Sequence, residues 1–267
     1  MNTVTEGLAT YCAVTDVGRV RANNEDAVVV DAAHGIAVLA DGMGGYNAGE
    51  VASALAVDLI GSELGRWLGE AAALAQPRDI RRAMEICVDN ANRSIFEAAY
   101  THDAYAGMGT TLVMTVLHRE TLLIGHVGDS RAYRYREGVL EQLTRDHSLL
   151  QEQVDMGLIT EQEAAGSANR NLVTRALGVE DTVLLDVQEQ AVEPGDLYLL
   201  CSDGLTDLVP DASIAAVLGD GMPMESQAQT LIAMANANGG RDNISLVLCQ
   251  VAKAAKKAGV IEKLLRK

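Results

Sequence analysis

Four aspartates stand beside apolar runs of the chain, in an arrangement that could gather cations. Asp41, Asp129 and Asp203 each follow such a run, and Asp242 precedes one. Apolar runs of this length predict strands, so the four carboxylates are expected at strand ends. Carboxylate oxygens are the ligands that hard divalent ions such as Mg²⁺ and Mn²⁺ prefer. The pattern therefore indicates a metal-dependent enzyme.

A guanidinium group precedes these aspartates in the chain. Arg21 is followed by Glu25 and Asp26, and an arginine is suited to bidentate capture of phosphate. Two divalent ions about 3.5–4 Å apart can share a carboxylate, lower the pKa of a bridging water and neutralise a phosphoryl group. The two ingredients together point to hydrolysis of a phosphate ester.

The composition limits the possible classes of protein. The chain has 267 residues, of which 48% are hydrophobic and 22% charged, as in ordinary folded proteins with a sizeable core. A net charge of -16 argues against a nucleic-acid enzyme, which needs a basic surface. No signal segment and no apolar stretch of about 18 residues is present, so no membrane span is expected.

The four cysteines are far apart and make no Cys-x-x-Cys pair. Most of them lie inside apolar runs, which predicts buried free thiols in a reducing compartment. We therefore expect a cytoplasmic protein.

The order of the elements predicts an α+β layered fold, because strands come in runs and helices arrive in pairs. A polar stretch at 144–178 is expected to form short helices and to lie over a site as a mobile insertion. Strands are predicted at 9–14, 27–30, 110–117, 121–127, 131–135, 183–187 and 244–251, and helices at 50–68, 78–100, 211–218 and 224–238.

The end of the chain, 252–267, is basic, opposite in sign to the rest. A basic segment of this kind is either a solvated helix or a docking segment for a partner or an anionic surface. Both readings stay open from the sequence.

The motifs and their order resemble the metal-dependent protein phosphatases of the PPM (PP2C-like) class, in the bacterial serine/threonine branch. The resemblance covers about residues 10–251. The matching pieces are Arg21 with Asn24-Glu25-Asp26, Asp41-Gly42-Met43-Gly44-Gly45, Gly107-Met108-Gly109-Thr110-Thr111, Gly128-Asp129-Ser130-Arg131-Ala132-Tyr133, Leu143-Thr144-Arg145-Asp146-His147-Ser148, Arg175-Ala176-Leu177-Gly178, Ser202-Asp203-Gly204 and Asp242-Asn243.

This resemblance implies a four-layer α-β-β-α sandwich, in which two packed antiparallel sheets are flanked by helix pairs. It implies one phosphatase domain over 1–251, with a flap at about 144–178, followed by the basic tail. The chain would act as a monomer on phosphoserine and phosphothreonine in phosphorylated proteins. Its counterpart would be a bacterial serine/threonine kinase.

The resemblance also implies a set of metal ligands. Asp41 would bridge two core Mn²⁺ or Mg²⁺ ions, with the carbonyl of Gly42 on one of them. Asp203 and Asp242 would complete the shell of the first ion. Asp129, together with Asp203, would hold a third and weaker ion.

The remaining roles concern the phosphate and the attacking water. By resemblance, Arg21 would hold the substrate phosphate and act with the core aspartates in catalysis. Glu25, Asp26 and Asn243 would lie behind the ligands, with the two carboxylates orienting metal-bound waters. A metal-bridging water would attack phosphorus directly, without a phosphoenzyme.

One residue departs from the family pattern. Many bacterial relatives have a histidine five residues after the aspartate that corresponds to Asp41, and this chain has Tyr46. A metal-bound water could supply the proton instead, or Tyr46 could only line the pocket.

Other functions are weighed against this one. Cys87 and Arg93 have the Cys-x5-Arg spacing of cysteine-dependent phosphatases, but the segment has no glycine to cradle phosphate. A degenerate member could bind phosphoprotein without turnover, and a metal-dependent phosphodiesterase or nuclease is disfavoured by the acidity. A pure scaffold gives no reason for carboxylates at strand ends. His126 is expected in the core, and His147 near the flap.

Overall fold

The computed structural model describes residues 2–6, 8–45, 48–165 and 172–252. Tyr46, the flap stretch 166–171 and the basic tail from 253 onward lie outside the described residues. No helix in the described ranges has the length and apolar character needed to cross a membrane.

The described residues form two sheets and seven α-helices. The strands are β1 (Asn2–Glu6), β2 (Ala9–Asp16), β3 (Asp26–Asp31), β4 (Ile36–Met43), β5 (Gly109–Thr110), β6 (Leu112–His118), β7 (Thr121–Val127), β8 (Arg131–Arg136), β9 (Val139–Gln142), β10 (Asp186–Ala191), β11 (Leu197–Cys201) and β12 (Ile244–Val251). The α-helices are α1 (Ala48–Ala71), α2 (Pro77–Thr101), α3 (Leu149–Asp155), α4 (Glu161–Ala165), α5 (Asp203–Thr206), α6 (Asp211–Gly219) and α7 (Met224–Ala237).

The two sheets are antiparallel throughout and pack face to face. One sheet has the strand order β1-β2-β12-β11-β8-β9, and the other has the order β10-β7-β6-β4-β3, with β5 paired to β4. Helices α1 and α2 pack on the outer face of the second sheet. Helices α6 and α7 cover the outer face of the first. The predicted four-layer α-β-β-α sandwich is therefore confirmed.

Strand β4 shows how the sequence builds these layers. Successive side chains of a strand point to opposite faces. Ile36 and Val38 pack toward α1 and α2, whereas Ala37 and Leu39 pack between the two sheets. The near-continuous apolar run of β4 thus reflects burial on both faces.

The long helices begin where the sequence predicts them. Pro77 occupies the first turn of α2, where its missing N–H costs no hydrogen bond. The backbone N–H of Gln76 donates to Asp79 at 2.9 Å, within a capping box. The helices predicted at 50–68, 78–100, 211–218 and 224–238 are confirmed, with ends that differ from the prediction by no more than three residues.

Two predicted strands have different bounds in the structure. The strand predicted at 183–187 is wrong at its start, since β10 begins at Asp186. That residue pairs with His126, next to the end of β7 at Val127. Because residues 188–190 are polar, the sequence did not predict the rest of this edge strand. The run predicted at 110–117 is divided into β5 and β6, and the short edge strands β1 and β9 were not predicted.

A substitution at Gly204 tests how tightly α5 packs on the start of β12. A Cβ at Gly204 would lie 1.9 Å from the backbone oxygen of Asn243, so Gly204→Ala forces the two segments apart. We expect it to lower the free energy of unfolding by about 2 kcal/mol or more, measured by urea unfolding in chelator. Gly45→Ala is the control, since nothing in the described part of the chain lies within 4 Å of a Cβ placed there. Equal stability of the two variants would contradict the packing.

Candidate metal centre

At one end of the sandwich the layer between the sheets changes from apolar to polar. Asp41 continues the face of β4 that carries Ala37 and Leu39. Ser202 and Ser245 take the matching positions at the ends of β11 and β12, and both are buried. Polar groups from neighbouring strands therefore meet inside the fold rather than on its surface.

The predicted carboxylates come together at this end. Asp26 lies directly opposite Asp41 in the pairing of β3 with β4. Burial raises the pKa of Asp41 well above its usual range, and the charges of Asp26, Asp203, Asp129 and Asp242 raise it further. Such mutual repulsion requires that the side chains share one small volume.

Asp203 and Asp129 form the side of this cluster nearest the flap. Burial is the main reason that the pKa of Asp203 is raised, and Asp129 and Asp207 add to it. Burial likewise raises the pKa of Asp129 to about 6, with Asp146 as the next cause. These carboxylates lie close enough to repel each other in water-poor surroundings.

Asp26 is a buried member of the cluster and has incomplete hydrogen bonding. The hydroxyl of Ser202 donates to its Oδ2 at 2.8 Å. Its Oδ1 is buried and accepts no hydrogen bond from the described part of the chain. Burial raises the pKa of Asp26 to about 6, against the hydrogen bonds from Ser245 and Ser202 that lower it. An oxygen-rich, repulsive and under-bonded pocket fits divalent cations.

Arg21 contacts the cluster at its outer rim. Its Nη2 donates to Oδ2 of Asp242 at 2.7 Å, and half of the Arg21 side chain is exposed. The backbone N–H of Asn243 donates to the other oxygen of Asp242 at 2.9 Å. The guanidinium thus reaches from solvent to a predicted metal ligand.

Asn243 fixes the loop that carries Arg21 and Glu25. Its Oδ1 accepts the backbone N–H of Glu25 at 2.8 Å. Its Nδ2 donates to the carbonyls of Val17 at 3.0 Å and Asn23 at 2.9 Å. Asn243, directly before β12, therefore clamps the backbone of the loop that carries Arg21 and Glu25.

Two threonines position Asp41, although no role beyond membership of the family motif was predicted for them. Thr111 Oγ1 accepts the backbone N–H of Asp41 at 3.1 Å, and Thr110 Oγ1 donates to the carbonyl of Asp41 at 2.9 Å. Thr111 Oγ1 also lies 2.7 Å from the hydroxyl of Ser130, which is next to Asp129. The two adjacent threonines after Gly109 were the feature of the sequence from which this role could have been predicted.

Gly42 has its neighbours packed against its backbone. Its N–H donates to the carbonyl of Glu25 at 3.1 Å, and a Cβ would lie 2.1 Å from the carbonyl oxygen of Gly49. Only glycine fits such a close approach of two backbones. The structure thus explains the glycine by packing, and the metal contact of its carbonyl stays a prediction.

A second group of possible ligands lies beneath the flap. His126 and His147 stack at 4.7 Å, and one atom from each, with one from Asp186, lie within 4.8 Å of one another. His147 Nδ1 accepts the backbone N–H of Gly128 at 3.0 Å, so its proton lies on Nε2, facing Asp186 at 3.2 Å. His126 Nε2 donates to the carbonyl of Arg145 at 2.8 Å. These hydrogen bonds hold the start of the flap against the end of β7 and the start of β10.

The cysteine-phosphatase alternative is excluded by the structure. Cys87 and Arg93 both lie on α2, and Arg93 pairs with Asp89 one turn away. Cys87 is 5% exposed, and burial raises the pKa of its thiol to about 11. A buried, protonated thiol within a helix can neither cradle nor attack phosphate.

The fold and this centre define a class, a two-sheet sandwich with a buried carboxylate centre suited to divalent cations. The sequence profile described as protein phosphatase 2C matches residues 18–247. The chain therefore belongs to the protein phosphatase 2C family, as the motifs predicted.

Named relatives agree over most of the chain. The serine/threonine phosphatase stp of Listeria innocua is 38% identical over 239 residues, which cover 88% of this chain and 93% of that protein. Protein phosphatase PhpP of Streptococcus pneumoniae is 34% identical over 238 residues, covering 88% and 94%.

Solved structures agree equally well. The serine/threonine phosphatase PstP/Ppp of Mycobacterium tuberculosis superposes with a TM-score of 0.83 at 36% identity, over 92% of this chain and 99% of that one. A structure of the PstP catalytic domain in complex with two manganese ions has a TM-score of 0.80 at the same identity, covering 92% and 99%.

The raised pKa values predict how metal-free protein responds to pH. Asp26 and Asp129 have a pKa of about 6 in the fold, raised by burial from an ordinary 3.8. At these two groups the native state then holds more protons than the unfolded chain, so their contribution to stability is full below about pH 4 and is lost as pH rises through about 6.

Because cations offset the charge that appears, Mn²⁺ should raise the melting temperature more at pH 7 than at pH 4.5. Differential scanning fluorimetry with and without Mn²⁺ measures this difference. An equal rise at both pH values would show that Mn²⁺ binds elsewhere.

Proposed function

We propose that this chain hydrolyses phosphoserine and phosphothreonine in proteins at the centre formed by Asp41, Asp203 and Asp242, with Arg21 holding the phosphate. Its family makes it a metal-dependent protein serine/threonine phosphatase. The observation that carries the assignment of the site is the cluster of buried and half-buried, mutually repelling carboxylates beside Arg21.

The proposed ligands divide into two groups. Asp41, the Gly42 carbonyl, Asp203 and Asp242 would hold two core Mn²⁺ or Mg²⁺ ions, and Asp129 with Asp203 would hold a third. When bound, such ions lower the pKa of a water and offset charge on the phosphoryl group. The incomplete bonding of the nearby Asp26 and the repulsion within the set support this assignment.

The residues of the chain supply orientation and charge. A guanidinium has five N–H donors, and Asp242 engages Arg21 through Nη2, so others can face a phosphate at the rim. Thr110 and Thr111 hold the backbone of Asp41, and Asn243 holds that of Glu25. Glu25 and Asp26 are proposed to orient waters, since both carboxylates border the centre.

The wider setting follows from the same reasoning. We assign the phosphatase domain to 1–251, with its flap at about 144–178. Four buried free thiols are the state expected in a reducing compartment, which supports the cytoplasm. A serine/threonine kinase would supply the phosphoproteins. A phosphoprotein-binding role without turnover is not favoured, because Arg21, Asp41, Asp203 and Asp242 are all present.

Replacing a core ligand tests the centre. Asp203→Asn and Asp242→Asn should each lower kcat for a chromogenic phosphate ester by about 100-fold or more in Mn²⁺, since each removes a charge that holds the ions. The control is Asp58→Asn, at an exposed aspartate of α1. Circular dichroism checks the fold. Full activity of either core variant would refute the assignment.

Arg21→Ala separates phosphate binding from metal binding. Loss of a charge-assisted contact should raise KM for a phosphopeptide by about tenfold or more. Its affinity for Mn²⁺ should not fall, because Arg21 pairs with Asp242 in the absence of cations. Steady-state kinetics and calorimetric Mn²⁺ titration measure the two effects. A loss of Mn²⁺ affinity with unchanged KM would contradict the role.

A further inference from the structure

His147 lies at the start of the flap, and the proposed function gives it no role. Its side chain is 10% exposed and stacks on the ring of His126, with 4.7 Å between the ring centroids. Packing of this kind holds an imidazole in one orientation, so that its two nitrogens point at defined partners.

Two hydrogen bonds join His147 to a single glycine, Gly128. The backbone N–H of His147 donates to the carbonyl of Gly128 at 2.9 Å. The backbone N–H of Gly128 donates in return to Nδ1 of His147 at 3.0 Å. Both polar groups of the Gly128 backbone therefore have His147 as their partner. His147 thus fixes the backbone directly before Asp129.

Gly128 also packs closely on its other neighbours. Its φ is +102°, in the region that favours glycine, and a Cβ there would lie 2.7 Å from Cβ of Thr111. Oγ1 of Thr111 lies 2.7 Å from the hydroxyl of Ser130, directly after Asp129. The turn that carries Asp129 is therefore held by Thr111 as well as by His147.

The second ring nitrogen of His147 selects its tautomer. Because Nδ1 accepts a hydrogen bond, the proton of the neutral ring lies on Nε2. This Nε2 is 3.2 Å from Oδ2 of Asp186, and Nη1 of Arg175 donates to the other oxygen of Asp186 at 2.9 Å. Asp186 therefore favours the tautomer in which Nδ1 accepts the N–H of Gly128.

His147 also joins the two ends of the flap. Its carbonyl accepts the backbone N–H of Thr174 at 2.8 Å. The neighbouring residues Ser148 and Val173 form an antiparallel bridge, and helix α3 of the flap begins at Leu149. The base of the flap and the turn before Asp129 are therefore held by the same residue.

We infer that His147 is a positioning residue, which holds the carboxylate of Asp129 toward Asp203 through the backbone of Gly128. The inference rests on the proposed function, in which these two aspartates hold a third ion. It adds that the flap and this ion are coupled, because the hydrogen bonds that fix the base of the flap also fix a ligand of the ion. His147 acts through Gly128 and is given no contact with the ion or the substrate.

Two substitutions separate the roles of the two nitrogens. In His147→Asn the amide oxygen can take the place of Nδ1 and accept the N–H of Gly128, whereas in His147→Gln the amide can take only the place of Nε2. We expect His147→Gln to weaken the weakest Mn²⁺ site by about tenfold or more, the usual effect of losing a group that orients a ligand. His147→Asn should weaken it by less than about threefold, because the acceptor remains. Calorimetric Mn²⁺ titration measures both effects, and the tighter sites should keep their affinity.

Metal-free protein gives a second readout. Loss of the acceptor in His147→Gln should speed amide hydrogen exchange at Gly128 by about tenfold or more, and His147→Asn should leave the exchange near the wild-type rate. Asp186→Ala, at an exposed residue, should act in the direction of His147→Gln because it releases the tautomer, and it serves if His147→Gln does not fold. His102→Gln, at an exposed histidine after α2, is the matched control and should change neither quantity.

A double-mutant cycle with Asp129→Asn shows whether His147 acts through Asp129. The double variant His147→Gln with Asp129→Asn should bind Mn²⁺ no more weakly than Asp129→Asn alone. Additive losses would overturn the inference, and so would unchanged Gly128 exchange or an unchanged Mn²⁺ titration in His147→Gln.

The proposed function can fail separately from this inference. An unchanged Mn²⁺ titration in Asp129→Asn would overturn the inference together with the assignment of the third ion, and would leave the two core ions in place. No turnover of any phosphate ester by the wild-type chain in Mn²⁺ would instead refute the proposed function.

Discussion

The repulsion among buried and half-buried carboxylates is the constraint on which the rest of this structure depends. Asp26, Asp41, Asp129 and Asp203 are held together although burial and mutual charge oppose their ionisation. Such an arrangement costs stability unless cations offset it. The sandwich supplies the opposing stabilisation through three apolar layers, one between the sheets and one under each helix pair.

The hydrogen bonds around the centre place these charges without neutralising them. Most of them hold backbone rather than carboxylate oxygens, as Thr110 and Thr111 do for Asp41 and Asn243 does for Glu25. Carboxylate oxygens therefore stay available to ligands while their positions are fixed. A preorganised ion site requires this arrangement, in which the backbone is held by hydrogen bonds and the carboxylate oxygens are left for ligands.

Much of this could be predicted from sequence, because strand-end aspartates and glycines each leave a local signal. The apolar run before Asp41 and the helical spacing of α1 specify their elements directly. Contacts between distant segments leave no such signal in the sequence. The hydrogen bonds of Ser202 to Asp26 and of Arg21 to Asp242 could therefore be found only from the folded structure. The strand β10 was misplaced since its polar residues pair at a sheet edge, where burial imposes no alternation.

The pairing of Arg21 with Asp242 has a thermodynamic consequence for the working site. In the proposed site, Arg21 and a cation would compete for the carboxylate of Asp242. Asp242 and phosphate would likewise compete for the guanidinium of Arg21. In the proposed roles of these two residues, a cation that binds Asp242 would release Arg21, and a phosphate that binds Arg21 would release Asp242. By reciprocity the two ligands would raise each other's affinity by the same factor. Product phosphate would then be a ligand that helps to retain the ions.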